Sequence, residues 1–284
     1  MTKSLQTALV LGLGLQLQSA FADEVAWSDT LIAPVANPIF FETPAINSEL
    51  RPIFIYHELN NNFAIPGDVE VYALQFRLQL TERLALIATK DGFVKINPDA
   101  GSSVDGWADI GGGLKYALIQ DEDSKFILTP GVKFEVPTGD DEVFQGNGDG
   151  EFDVFVSAAK GIGELQIMGS AGVRLPLDTD EETSQLHYSL QVAYPVCEWF
   201  KPFAVLNGYT VLSEGNGPAF GSEGYDVINF GTSNAQGETQ IVLGLGFRAS
   251  LCECFDLGVA YEDGVDHSDG IFDRRVTADL VWKF

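Results

Sequence analysis

After residue 22 this 284-residue chain contains no long uncharged apolar run, so none of its segments suits a membrane-spanning helix. Basic residues are scarce: 16 Lys and Arg stand against 41 Asp and Glu, a net charge of −25. Nucleic acid is excluded as a partner, because its phosphates would be repelled. Cysteine is nearly missing too. Cys197, Cys252 and Cys254 lack the paired Cys-x-x-Cys spacing and further ligands of a zinc site. In an oxidising compartment Cys197 can pair with one of the other two, leaving one thiol free. No cofactor is expected. Asn147-Gly148-Asp149-Gly150-Glu151 lacks the ligand order of an EF-hand.

What is present begins with an export signal. Lys3 is the one charged side chain before Asp23, Ala8 to Leu17 is apolar apart from Gly and Gln, and Ala20-Phe21-Ala22 has the small-x-small form of a cleavage site. Residues 1–22 therefore read as a secretory signal peptide. No Cys follows the cut, so no lipid anchor is expected there. Residues 23–49 are Pro-rich and aperiodic, and read as a periplasmic leader or a plug.

From residue 50 the chain alternates. In the closing run Phe284, Trp282, Leu280, Ala278 and Val276 are apolar, while Lys283, Asp279, Thr277 and Arg275 are polar. Period two marks a strand with one oily and one wet face. Similar runs recur. Tyr72, Leu74, Phe76, Leu78 and Leu80 oppose Gln75 and Arg77. Ala108, Ile110, Leu114, Tyr116 and Leu118 oppose Asp109 and Lys115. Phe126 to Val136, Phe152 to Val156, Leu165 to Leu175, Leu186 to Tyr194, Ile241 to Phe247 and Phe255 to Tyr261 continue the pattern. Two strands, near Arg51 to His57 and Phe200 to Leu212, cannot be oriented from the pattern.

These runs predict an all-β fold over residues 50–284: a transmembrane antiparallel up-and-down β-barrel of about twelve strands. Most runs are about ten to twelve residues long, as a tilted bilayer crossing requires. Connections alternate between long and short. This matches the long external loops and short periplasmic turns of outer-membrane barrels, and an even strand count leaves both termini periplasmic. Residues 213–236 should then be external and the three cysteines periplasmic. A final Phe on the lipid face resembles the closing strand of that class. It implies two partners, the outer-membrane lipids and the barrel-assembly machinery, the latter engaged through the strand ending at Phe284.

The wet face supplies the candidate lumen residues: Arg77, Asp109, Lys115, Lys133, Glu135, Asp153, Arg174, His187, Arg248, Asp256, Glu262 and Asp279. Ion pairs that brace the barrel explain such a set, and so does a polar path for small solutes. Twelve strands lie between barrels filled by side chains and barrels with open channels. His187 and Ser189 form the His-x-Ser pair of outer-membrane lipid hydrolases. Here Leu186, Tyr188 and Leu190 take the lipid side, which turns the pair inward, away from lipid. Acidic clusters at Asp140-Asp141-Glu142 and Asp178 to Glu182 read as solvated loop charge or as divalent-ion bridges to lipopolysaccharide.

Three segments carry a family resemblance: Gly111-Gly112-Gly113-Leu114-Lys115-Tyr116, then Pro130 to Asp140 with its Pro137-Thr138-Gly139-Asp140 ending, then Gly146 to Gly150 leading into Phe152-Asp153-Val154. With Phe284 they resemble the outer-membrane family named for the MetA pathway of phenol degradation, specifically over residues 105–175. The resemblance implies an outer-membrane barrel that passes small hydrophobic or aromatic compounds, and it supplies no site residues. The expected function is a passive channel and not an enzyme. The alternatives are a closed structural or adhesive surface barrel and, third, a lipid hydrolase.

Overall fold

The computed structural model describes residues 26–265 and 270–284; the expected signal peptide, residues 1–22, and His267 lie outside the described residues. One 3₁₀ turn, Trp27–Thr30, precedes an irregular stretch to residue 48, and a second, Asp141–Val143, lies in a long connection between strands. The rest is a single antiparallel sheet of β1 (Glu49–Leu59), β2 (Gly67–Gln79), β3 (Leu84–Lys90), β4 (Phe93–Pro98), β5 (Val104–Trp107), β6 (Ile110–Tyr116), β7 (Ile119–Asp121), β8 (Phe126–Val136), β9 (Glu151–Ile162), β10 (Leu165–Pro176), β11 (Ser184–Ala193), β12 (Phe200–Ser213), β13 (Thr239–Cys252), β14 (Phe255–Gly264) and β15 (Phe272–Lys283). β3 with β4, and β5 with β6 and β7, are single crossings interrupted midway, so the wall is a closed barrel of twelve strands. Closure is through β1. It pairs with β15 from Glu49↔Lys283 to Leu59↔Phe272, and with β2 from Glu49↔Arg77 to Glu58↔Asp68.

The alternation of the sequence becomes the two faces of this wall. On β2, Tyr72, Leu74, Phe76 and Leu78 are exposed outward while Gln75 and Arg77 are buried inward. A twelve-residue strand tilted by about 40° spans roughly 30 Å, the thickness of the hydrocarbon layer. Aromatic side chains ring the two margins of the outer face. Tyr194, Trp199, Trp282 and Phe284 lie toward the short turns, and Tyr56, Tyr72, Trp107 and Tyr261 toward the long loops. Aromatics gather at such depths because one end of the ring is apolar and the other is wet.

The interruption between β3 and β4 has a local cause. Gly92 adopts φ +123°, where a Cβ would lie 2.6 Å from the Tyr72 carbonyl oxygen, so glycine is required. The Asp91 carboxylate accepts the Leu74 amide at 2.9 Å, replacing a lost ladder bond. The break shifts the β3–β6 register between Ala88 and Lys90. A matching break between β5 and β6 turns Ala108 inward. It is 8% exposed, which corrects the expectation that Ala108 faces lipid. Elsewhere the orientable strands face as their pattern dictates. Arg51, Ile53 and Ile55 of β1 and Phe203, Val205 and Tyr209 of β12 point inward, which orients the two strands the pattern could not.

Candidate functional site

The barrel encloses a lumen, and two segments fill it. From the end with the short turns come residues 26–48, in which Ile32, Val35, Ala36, Asn37, Phe40, Phe41, Glu42 and Thr43 are each at most 3% exposed. The leader adds no strand to the wall. Wall side chains hold it by its irregular backbone: Gln166 donates to the Thr30 carbonyl at 3.0 Å, Gln191 to Ile32 at 2.8 Å, Arg248 to Ala33 at 2.6 Å, Lys133 to Ile39 at 2.8 Å and Thr129 to Pro44 at 2.7 Å. From the other side the connection 214–238, which holds most of the segment 213–236 expected to be external, folds inward over the lumen. Tyr225, Val227, Ile228 and Phe230 are buried against Ile53, Ile55, Val69, Val71, Val94 and Ile96.

Charged side chains lie between and around these apolar parts in ion-paired groups. Arg77 bonds Glu42 of the leader at 2.6 Å and Glu49 at 3.0 Å, and Lys115 reaches the same Glu42 at 2.7 Å. Burial alone would raise the Glu42 carboxyl, but Arg77 and Lys115 hold it well below the usual carboxylate range. Arg248 and Arg51 both bind Asp279, at 2.8 Å and 2.6 Å, and both also bond the Pro34 carbonyl. Lys133 pairs with Asp153 at 2.6 Å, and Asp153 bonds His187 at 2.8 Å. His187 stacks on Phe40 with ring centroids 4.2 Å apart, and Lys133 and Arg174 lie over the same ring at 5.5 and 5.8 Å. Arg174 pairs with Glu151, Lys90 with Glu135, and Arg174 lies 3.7 Å from Glu135. Glu262 bonds Arg275 at 2.9 Å, and Arg275 reaches Asp226 of the inward loop at 2.6 Å.

The sequence candidates thus fall into separate groups. Arg77 with Lys115, Lys133 with Asp153 and His187, and Arg248 with Asp279 clasp the leader. Glu135 and Arg174 sit beneath the inward loop, and Glu262 meets that loop through Arg275. Two candidates lie at the rims. Asp109 accepts the amides of Thr138, Gly139 and Gly146 at 2.8, 2.8 and 3.0 Å and so pins an external loop. Asp256 pairs with Lys283 at 2.6 Å beside the short turns. Sequence reasoning missed Glu42, Lys90, Glu151 and Arg275. Glu42 belongs to an aperiodic segment, Lys90 follows a register shift, and Glu151 opens its strand directly after a loop. Arg275 was legible, since it lies in the alternating run of β15 with Asp279.

The clasp leaves about 230 Å³ between the leader and the wall beside Thr43, Ala45 and Arg248. The cavity beside Phe40, Lys133, Glu135 and Asp153 holds about 20 Å³, space for about one water molecule. Larger hollows lie at the ends. One of about 650 Å³ is lined by Trp27, Glu122, Lys125 and Lys201, and one of about 470 Å³ by Phe144, Asp180, Asn216 and Phe220. His187 and Ser189 bond to other side chains. The Ser189 hydroxyl donates to Asn207 at 2.7 Å, and His187 is bound to Asp153.

Glu182, in the loop after β10, is 5% exposed, and its Oε2 lacks a hydrogen-bond partner among the described residues. Burial pushes its carboxyl up to about 7, against the pull of Arg174. The folded protein therefore binds this proton more tightly than the unfolded chain. Stability falls as pH rises from the ordinary carboxylate range toward 7, and the penalty is complete above that. At about 1.4 kcal/mol per pKa unit the ceiling is about 3.5 kcal/mol, reduced by water at the loop. Glu182→Gln should raise the thermal unfolding midpoint at pH 8 and leave it unchanged at pH 4. Equal shifts at both pH values would show that the proton is not responsible.

Solved structures share this architecture. An outer-membrane channel from Pseudomonas putida F1 superposes with a TM-score of 0.60 at 16% identity, over 84% of this chain and 96% of that one. The NanC porin matches with a TM-score of 0.53 at 7% identity, over 84% and 100%. The β domain of the Bordetella autotransporter BrkA matches at 0.50 and 13% identity, over 84% and 99%. At these identities the likeness is one of fold, that of bacterial outer-membrane barrels. No family model and no curated protein sequence matches the chain, so no family match supports the resemblance carried by residues 105–175.

Proposed function

We propose that this barrel is a passive outer-membrane conduit for small hydrophobic or aromatic solutes, closed at rest by its own leader. The observation that carries the reading is how the leader is held. It contributes no ladder to the sheet, and its bonds to the wall come from side chains such as Gln166, Gln191, Arg77 and Lys133. The segment can therefore leave while the barrel stays closed on itself. Likeness to an outer-membrane channel and a porin supports a conduit, and the resemblance to the phenol-degradation family supports aromatic cargo.

The outer mouth favours neutral or cationic solutes. None of the long connections, 60–66, 99–103, 137–150, 177–183, 214–238 and 265–271, contains a Lys or Arg, and Asp and Glu recur through most of them. Such a mouth repels anions and concentrates cations. The test is passage of a nitrophenol across asymmetric lipopolysaccharide bilayers, followed optically. Vesicles containing a folded variant lacking residues 23–45 should equilibrate several-fold faster than protein-free ones, with a phenolsulfonate of similar size lagging. Equal rates with and without protein would refute the conduit. They would favour a closed surface barrel.

A further inference from the structure

We propose that Cys252 and Cys254 form a thiol–disulfide exchange pair at the periplasmic end of the barrel, oxidised by a disulfide-bearing periplasmic oxidoreductase. The two residues flank Glu253 in the tight turn between β13 and β14, and their sulfurs lie 3.3 Å apart. A disulfide bond is about 2.05 Å long, so the sulfurs need to approach by little more than 1 Å. A register shift between Ser250 and Cys252 re-aims the end of β13 and lets side chains two apart converge. The Lys283 amide donates to the Cys254 carbonyl at 2.8 Å, which anchors the turn on the closing strand. Cys252 is exposed and Cys254 half-buried, so a partner's sulfur can reach the pair.

This differs from the pairing that cysteine counting suggests. Cys197 lies on the neighbouring turn, after β11, and the sulfur contact joins the other two. A disulfide here would enclose a single residue. Cross-links over such short loops constrain the unfolded chain little, so bracing the fold is a poor explanation for the pair. Accessible vicinal thiols are instead suited to exchange. In the first step the Cys252 thiolate attacks one sulfur of the partner's disulfide. A mixed disulfide forms and the partner's other sulfur leaves as a thiolate. The Cys254 thiol then gives its proton to solvent and its thiolate attacks the Cys252 sulfur, forming the Cys252–Cys254 bond and expelling the partner's second thiolate. Two protons and two electrons leave this chain, and the partner's disulfide is reduced to a dithiol. The placement is independent of whether the lumen conducts.

The test uses the folded, fully reduced protein with glutathione disulfide as the oxidant, quenched by alkylation under denaturing conditions and digested with trypsin. Cleavage after Arg248 and Arg274 releases both cysteines on one peptide, 249–274. The expected product is that peptide, about 2 Da lighter than its reduced form, with no alkyl group and no glutathione. Cys197→Ser should give the same product, while Cys254→Ser should stop at a persistent glutathione adduct on Cys252. Two glutathione adducts on peptide 249–274, a cross-link to the Cys197 peptide, or two alkylated thiols after oxidation would each overturn the proposal.

Discussion

Asp279→Ala should be among the most destabilising single substitutions in this barrel, lowering unfolding free energy by about 3–5 kcal/mol. Asp279 is 3% exposed and accepts hydrogen bonds from Arg51 and from both terminal nitrogens of Arg248. All three residues belong to the wall, on β15, β1 and β13, and they bridge the seam where the last strand meets the first. Removing the carboxylate leaves two guanidinium groups buried side by side without the carboxylate that both of them bond. Asp279→Asn keeps the shape and part of the hydrogen bonding, and should lose less. Urea unfolding from lipid vesicles, followed by the gel mobility of unheated protein, measures both. An alanine variant within about 0.5 kcal/mol of the native protein would mean that water already screens the seam.

Glu42→Ala should have a different outcome, because Glu42 is on the leader and its partners are on the wall. The substitution strips Arg77 and Lys115 of their shared carboxylate, although Arg77 keeps Glu49. A buried unpaired charge costs several kcal/mol if it stays buried. Here the strain has an exit: the leader undocks, water enters, and both cations are hydrated. The loss is capped at the docking free energy of the leader, and the barrel stays folded. Glu42→Ala should therefore raise open probability in planar bilayers at least tenfold with little change in unfolding midpoint. A large fall in the midpoint with no openings would show that the leader is an inseparable part of the fold.

The wall of the barrel was legible because lipid and lumen impose opposite polarity on successive residues. Runs such as Tyr72 to Leu80 and Val276 to Phe284 report that directly. The alternation of long and short connections then set the crossings in order. Legibility failed where packing replaced periodicity. Ile53, Ile55, Val69 and Val71 are apolar yet face inward, because Tyr225, Val227 and Ile228 of the inward loop cover them. Both faces of those strand ends are therefore oily, and β1 could not be oriented. The loop itself carried a signal in Tyr225, Val227, Ile228 and Phe230, a density of apolar residues that a solvated loop does not need. The docking of the leader had no periodic trace, since an irregular backbone is fixed by its carbonyls, and side chains at Gln166, Gln191 and Arg248 do not announce which carbonyl they will meet. The break at Asp91-Gly92 shows the same limit: a φ that only glycine adopts easily moves Lys90 into the lumen and Ala108 off the lipid face.

The claim that the leader closes a conduit is tested most directly by single-channel recording of the native protein beside a variant lacking residues 23–45. Both should be folded by gel mobility before recording. The native protein should be silent for most of the record, with rare brief openings. The deletion variant should show sustained steps of small, uniform conductance, because the loop 214–238 still narrows the outer half of the lumen. A correctly folded deletion variant as silent as the native protein would contradict the account and identify the barrel as closed by design of its wall and loops.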